Sequence, residues 1–352
     1  MAGIAPPPMG YQESFGIARE SSYGSAAAPG IWFKADPMTI ARVDPHLPVA
    51  GPSGAQVQHR YHATRPRKFR GTPQIRGNVS VACEFDDLGH LLGNAIAAPS
   101  VSGPTDSAYT HTYTLSAAKP ANMPTSLTVA RLTGLEDYQF TGCMIDNFEL
   151  RCQPGQILTA SMDFIGQTGG AAEADDADTE GYSTAPWMEF HQVNVRYHAT
   201  PNTATGSLAT LASGSEAMGA TFRLENRLRA VQAAGNNVRG IREPVYNDYR
   251  LATISFDRDF FDDDFFDEYH SSTVTDAFST IELRVLGTEN IPSGSTPYQM
   301  RIYMPFAVLD RSESYGGGAG PLSETVTFTA GSDGSTAPLT VTFITGTSSY
   351  TA

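Results

Sequence analysis

The sequence predicts an all-β fold with minor helix, arranged as two tandem antiparallel β-sandwich or β-barrel domains, each with one short helix. Three observations carry this. Apolar and polar residues alternate with period two through many short stretches. The period switches to that of a helix at two places. Both places fall at the same point in a repeated order of elements. Composition agrees, since 40% hydrophobic residues with 33 Gly and 23 Pro in 352 residues describe a turn-rich globular chain.

At the first place Val79, Val81, Cys83 and Phe85 alternate with Ser80, Ala82 and Glu84. Leu88, Leu91, Leu92 and Ala95 then come after Asp86 and Asp87 with i, i+3, i+4, i+7 spacing, which predicts a helix over 86–95. At the second, Ala252, Ile254 and Phe256 alternate with Thr253, Ser255 and Asp257. Phe261, Phe265 and Tyr269 then recur every fourth residue and predict a helix over 261–270 with an aromatic face, an acidic face and carboxylates in its first turn.

The elements after each helix also match. The first helix is succeeded by a strand over 126–134, a stretch opening with Tyr138 and Gln139, and an alternating strand over 157–166. The second is succeeded by 280–287, a stretch opening with Tyr298 and Gln299, a glycine-rich turn, and the strand 338–345. A tandem duplication is the simplest source of that order. It divides the chain into an N-terminal arm over 1–30, a first domain over 31–166, an acidic linker over 167–186 and a second domain over 187–352. The arm is broken by Pro6, Pro7 and Pro8, the linker is small, acidic and aperiodic, and a strand is expected from Met188 to Val195.

A net charge of −14 argues against a site that grips nucleic acid by its phosphates. The one basic cluster, Arg60 to Arg70, is expected as an exposed loop meeting an acidic neighbour. Three cysteines, Cys83, Cys143 and Cys152, are too few for a disulfide framework and form no metal-binding pair. The first residues lack the charged and apolar regions of a signal peptide, and no apolar run reaches the length of a membrane span.

No catalytic, cofactor-binding or metal-ligating residue is predicted, so no cofactor and no enzymatic activity are expected. The acids from Asp257 to Glu268 are interrupted by phenylalanines, which defeats a calcium loop, and one short helix cannot place two carboxylates across a cleft. They are expected to form a solvated face. His111 is expected to be structural rather than a ligand.

Glu20, Tyr23, Gly24 and Ser25, with Gly142, the Pro154–Gly155 turn and the Ile165–Gly166 pair after them, resemble the pattern of major tail tube proteins of long, flexible-tailed bacteriophages. The resemblance implies a structural virion protein, made in the host cytoplasm and built into the tail. It would self-assemble into stacked rings around a channel through which DNA passes without specific binding. Implied partners are further copies of itself, the tape measure and the tail terminator, with no membrane. Two domains per chain imply a trimeric ring of sixfold appearance. The alternative is a carbohydrate- or surface-binding β-sandwich of a virion.

Overall fold

The computed structural model describes residues 14–35, 39–43, 46–48, 68–70, 74–116, 126–132, 138–171, 183–211, 217–232, 241–259, 265, 269, 278–315 and 323–350. The strands of the N-terminal part are β1 (Ser14–Arg19), β2 (Ile31–Lys34), β3 (Ala41–Val43), β4 (His46–Pro48), β5 (Lys68–Arg70), β6 (Gln74–Ala82), β7 (Ser100–Thr105), β8 (Ala108–Leu115), β9 (Leu127–Leu132), β10 (Tyr138–Cys152), β11 (Thr159–Gly166) and β12 (Thr168–Ala171). Those of the C-terminal part are β13 (Val193–His198), β14 (Ala209–Thr210), β15 (Ala217–Glu225), β16 (Leu228–Val231), β17 (Arg242–Tyr246), β18 (Leu251–Asp259), β19 (Ser279–Asn290), β20 (Pro297–Tyr315), β21 (Ser323–Ala330) and β22 (Leu339–Thr345). Helix α1 (Leu88–Ala95) turns Leu88, Leu91, Leu92 and Ala95 into the core. Of the second expected helix, residues 265 and 269 are described and both are helical. The fold is all-β with minor helix, and its strand pairs are antiparallel.

Two long strands organise the ladders. The first half of β10 pairs with β9 and β12, and its second half with β11 and β15. Likewise the first half of β20 pairs with β19 and β22, and its second half with β21. Around β10 the order runs β2–β1–β9–β10–β11–β6–β3. Around β20 it runs β14–β13–β19–β20–β21–β18–β15.

The registers also coincide, irregularities included. Ile145 opposite Phe164 and Asn147 opposite Asp163 flank a bulge at Asp146. Leu309 opposite Phe328 and Arg311 opposite Thr327 flank a bulge at Asp310. Leu127 opposite Cys143 and Val129 opposite Phe140 flank another, matched by Ser279 opposite Ala307 and Ile281 opposite Met304. One extra residue at the same rung bends each long strand the same way.

The two sets are not separate bodies. β10 pairs with β15, β22 pairs with β8, and one cluster of buried side chains runs from Phe15 to Tyr350.

Several expectations change. Residues 14–19, expected within the arm, form β1, held between β2 and β9. With five of its six residues buried, β1 lacks the alternation that marks a half-exposed strand. The strand that matches 159–166 is β21, not 339–345, because β11 and β21 hold the same place against the long strands. β12 and β22 are the counterparts one step on. The strand expected from Met188 begins only at Val193, after a 3-10 turn over Phe190–Gln192 in which Gln192 Oε1 accepts the Glu189 amide at 3.0 Å. Residues 1–13, the linker centre 172–182, and the basic segment apart from the backbone of 68–70 lie outside the described residues.

Candidate assembly site

The residues of the Glu20 pattern meet at one corner. Glu20 directly follows β1 at 2% exposure, and its carboxylate accepts four hydrogen bonds. Oε1 takes the Gly142 amide at 2.8 Å and the Thr128 hydroxyl at 3.0 Å. Oε2 takes the Gly24 amide at 2.8 Å and the Ser126 hydroxyl at 2.6 Å. A charged acceptor so fully satisfied fastens the turn after β1 to β9 and to the bend of β10. Both amides belong to glycines with positive φ, 76° at Gly24 and 66° at Gly142. A Cβ on Gly142 would also press on the ring of Tyr23 at 3.0 Å. Burial, with Cys143 and Glu20 alongside, pushes the Tyr23 phenol up. The Pro154–Gly155 turn is exposed and joins β10 to β11.

Where the two sets of strands join, β10 and β15 pair from Asn147 opposite Glu225 to Cys152 opposite Ala220. The core side of this seam is apolar, with Phe148, Leu150 and Cys152 facing Leu224, Phe222 and Ala220. On the opposite face Glu149 pairs with Arg151, and Arg223 with Glu225 at 3.1 Å. Around them on the same face lie Ser80, Ser161, Thr159, Thr221, Ser255, Thr327, Asp163 and Asp257. Asp163 accepts from Asn78 and Asn147 at 2.9 Å each, and Asp257 from the Thr325 hydroxyl at 2.6 Å. Of the acidic run singled out in the sequence, Asp257 and Asp259 thus stand on a sheet face, while 260–264 and 266–268 lie outside the described residues.

A family model described as phage tail tube protein matches residues 10–330. The chain belongs to the phage tail tube protein family. No curated protein matches it in sequence. Membership makes it a structural component of the virion tail, and the pattern of Glu20, Tyr23, Gly24 and Gly142 that suggested the family proves to be a single hydrogen-bonded corner.

Sequence reasoning missed a second group of polar side chains in this tail tube protein. Arg258 and Glu324 face the core at 2% and 0% exposure, with Arg258 Nε donating to Glu324 Oε2 at 2.7 Å. The Ser312 hydroxyl donates to Glu324 Oε1, and the guanidinium lies 4.6 Å over the Phe265 ring. On β13 and β19, Arg196 bonds the buried carboxylate of Glu282 at 2.9 Å. Arg258 interrupts the alternation of β18 at its end, and that break was the signal available. His111 is buried on the core side of β8, donates from Nε2 to the Thr347 carbonyl at 2.7 Å, and packs against Tyr350.

Proposed function

We propose that this chain is the repeating subunit of the tail tube and that it arose by internal duplication. Copies assemble into rings that stack around a channel for DNA. The observation that carries the reading is the coincidence of the two ladders, in strand order, register and bulge position. Two equivalent sets of strands in one chain do the work of two subunits, so three chains complete a ring of sixfold appearance. The tape measure inside the tube and the terminator at its end are the further tail partners.

The polar face of the seam sheet suits the channel wall. Arg151 and Arg223 are each matched by a carboxylate on their own strand, and Asp163 and Asp257 stand among amides and hydroxyls. A wall of that kind offers phosphate few cations from which to release counterions, so DNA slides rather than sticks.

Electron microscopy of the purified protein at high concentration tests the reading, together with native mass measurement of isolated rings. Rings or tubes built from three chains are expected. Discrete monomers under all conditions would overturn the tube, and six chains per ring would overturn the pseudo-sixfold trimer.

A further inference from the structure

The internal seam has an unfilled counterpart. β15 lies between β18 and β10, pairing with both. Its counterparts beside β6 are Ala35 and residues 39–43. Ala35 opposite Val81 repeats Ala217 opposite Arg258, and Ala41 opposite Arg76 with Val43 opposite Gln74 repeats Arg223 opposite Thr253 with Glu225 opposite Leu251. One extra residue stands on the outer strand in both cases. Facing agrees too, because Ile40 is buried at 1% where Phe222 is buried at 0%. Yet among the described residues β3 pairs with β6 alone, and the end of β20 from Arg311 to Tyr315 pairs with β21 alone. In the first set the matching part of β10, Asn147 to Arg151, is paired on both sides.

We propose that these two open edges are each other's partners in different copies of the chain. The end of β20 in one copy pairs antiparallel with 39–43 of the next, in the register of the internal seam. That register sets Arg311 opposite Val43, Ser312 opposite Arg42, Glu313 opposite Ala41, Ser314 opposite Ile40 and Tyr315 opposite Thr39. Two unpaired edges that fit one ladder are strong templates for association, and joining them head to tail generates a ring.

The seams differ in chemistry. Inside the chain, Phe148 faces Leu224 across the ladder and neighbours Ala160 on β11. Between chains, the place of Phe148 is held by Ser312, which donates to Glu324, and Glu324 already engages Arg258. A leucine at the rung opposite Ser312, where Leu224 stands opposite Phe148 in the internal seam, would meet a polar edge. The two seams therefore reject each other's strands, and a copy's first set cannot join another copy's first set in error.

The inference rests on the tube reading in that copies must assemble, and the test separates the two. The full-length chain carrying Ala41→Cys and Glu313→Cys is oxidised under assembling conditions and run without reductant. Directly opposed residues lie about 4.5–5.5 Å apart at Cα, within disulfide reach. The native cysteines are buried and do not compete. The expected result is covalent multimers, at least ~5-fold more abundant than for Val43→Cys with Glu313→Cys, a pair displaced by two residues and about 7–8 Å apart. Rings or tubes without cross-links, or equal yields from both pairs, would overturn the seam and leave the tube reading standing. A wild-type chain that never assembles would overturn both.

Discussion

Phe148, Ala160 and Val81 in the first set of strands, and Ser312, Glu324 and Arg258 in the second, occupy the same places in the same ladder. All six are buried. The first three fill their places with apolar volume, the second three with an ion pair and a hydroxyl. Elsewhere the same exchange recurs: Gly16 opposite Ala130 beneath Trp32 becomes Arg196 opposite Glu282 beside Thr210. The comparison teaches that register is fixed by backbone pairing and bulges, while the chemistry at each rung is free to suit its neighbour beyond the edge. For the first set that neighbour is β15 of the same chain. For the second it is, on our proposal, another molecule.

The largest expected effect breaks this comparison at the polar triad. Glu324→Ala leaves the Arg258 guanidinium buried with its carboxylate gone, and should lower stability by about 3–5 kcal/mol. Transplanting the first set's residues, Arg258→Val with Ser312→Phe and Glu324→Ala, removes all the buried polarity at once. The triple variant should recover most of that loss in denaturant melts, yet fail to form rings. A triple variant as unstable as Glu324→Ala would show that the two places are not equivalent.

The helix on each set gives the next test. Phe265, 4% exposed, packs its ring 5.0 Å from Tyr197 and 5.9 Å from both Phe256 and Phe328. Phe265→Ala should cost about 3–5 kcal/mol, overlapping the ~2–5 kcal/mol expected for Leu91→Ala in α1. A melting temperature within two degrees of wild type for either variant would mean that helix does not seal its core.

A third difference is an addition. The hairpin β7–β8 comes after α1 in the first set, and it receives β22 and the residues beyond it. Tyr350 fits against His111 and, edge-on, against His90, over Gly89, where any Cβ would collide with its ring at 2.3 Å. Burial, with His111 nearby, lowers His90 to about 4. A histidine depressed in the folded state contributes stability that is present above its unfolded pKa and lost as pH falls through its folded one. Stability should therefore decline between roughly pH 6.5 and 4, by about 3 kcal/mol at most. Thermal melts across that range should flatten in His90→Gln, and an unchanged slope would place the acid sensitivity elsewhere.

How much of this was legible depends on exposure. The β6–α1 unit and the β18 strand announced themselves because one face is wet, so alternation and helical spacing survive in the residues. β1 was hidden because it is covered on both sides. The match of β11 to the last strand failed for a different reason: Thr325–Phe328 and Thr340–Phe343 carry the same four residues, TVTF, and pattern alone cannot say which of two identical strands pairs where. The corner residues Glu20 and Gly142 were visible as a pattern, but their joining required the fold, since more than a hundred residues separate them. Arg258 gave only a break in alternation at the end of β18, because a charge inside an alternating strand reads as an edge until its partner on another strand, here Glu324, is known.

The smallest effect sharpens the comparison at that corner. Thr128 and Thr280 hold equivalent rungs, but the first corner is served by a carboxylate and the second by Thr280 alone, which donates to the Thr200 carbonyl at 2.9 Å and accepts the Thr203 amide at 3.1 Å. In Glu20 each oxygen serves one backbone amide and one hydroxyl. A hydroxyl can turn to accept from an amide NH2, but a backbone N–H cannot. In Glu20→Gln, whichever way the side chain points, either Gly24 or Gly142 must lose its acceptor in a buried setting, a loss of about 1–3 kcal/mol. Thr280→Val keeps the shape and orphans one amide without a charge, so about 1 kcal/mol is expected. Chemical denaturation of the two variants side by side should place the carboxylate variant lower. Equal losses would mean that the charge at the first corner adds nothing beyond the geometry both corners share.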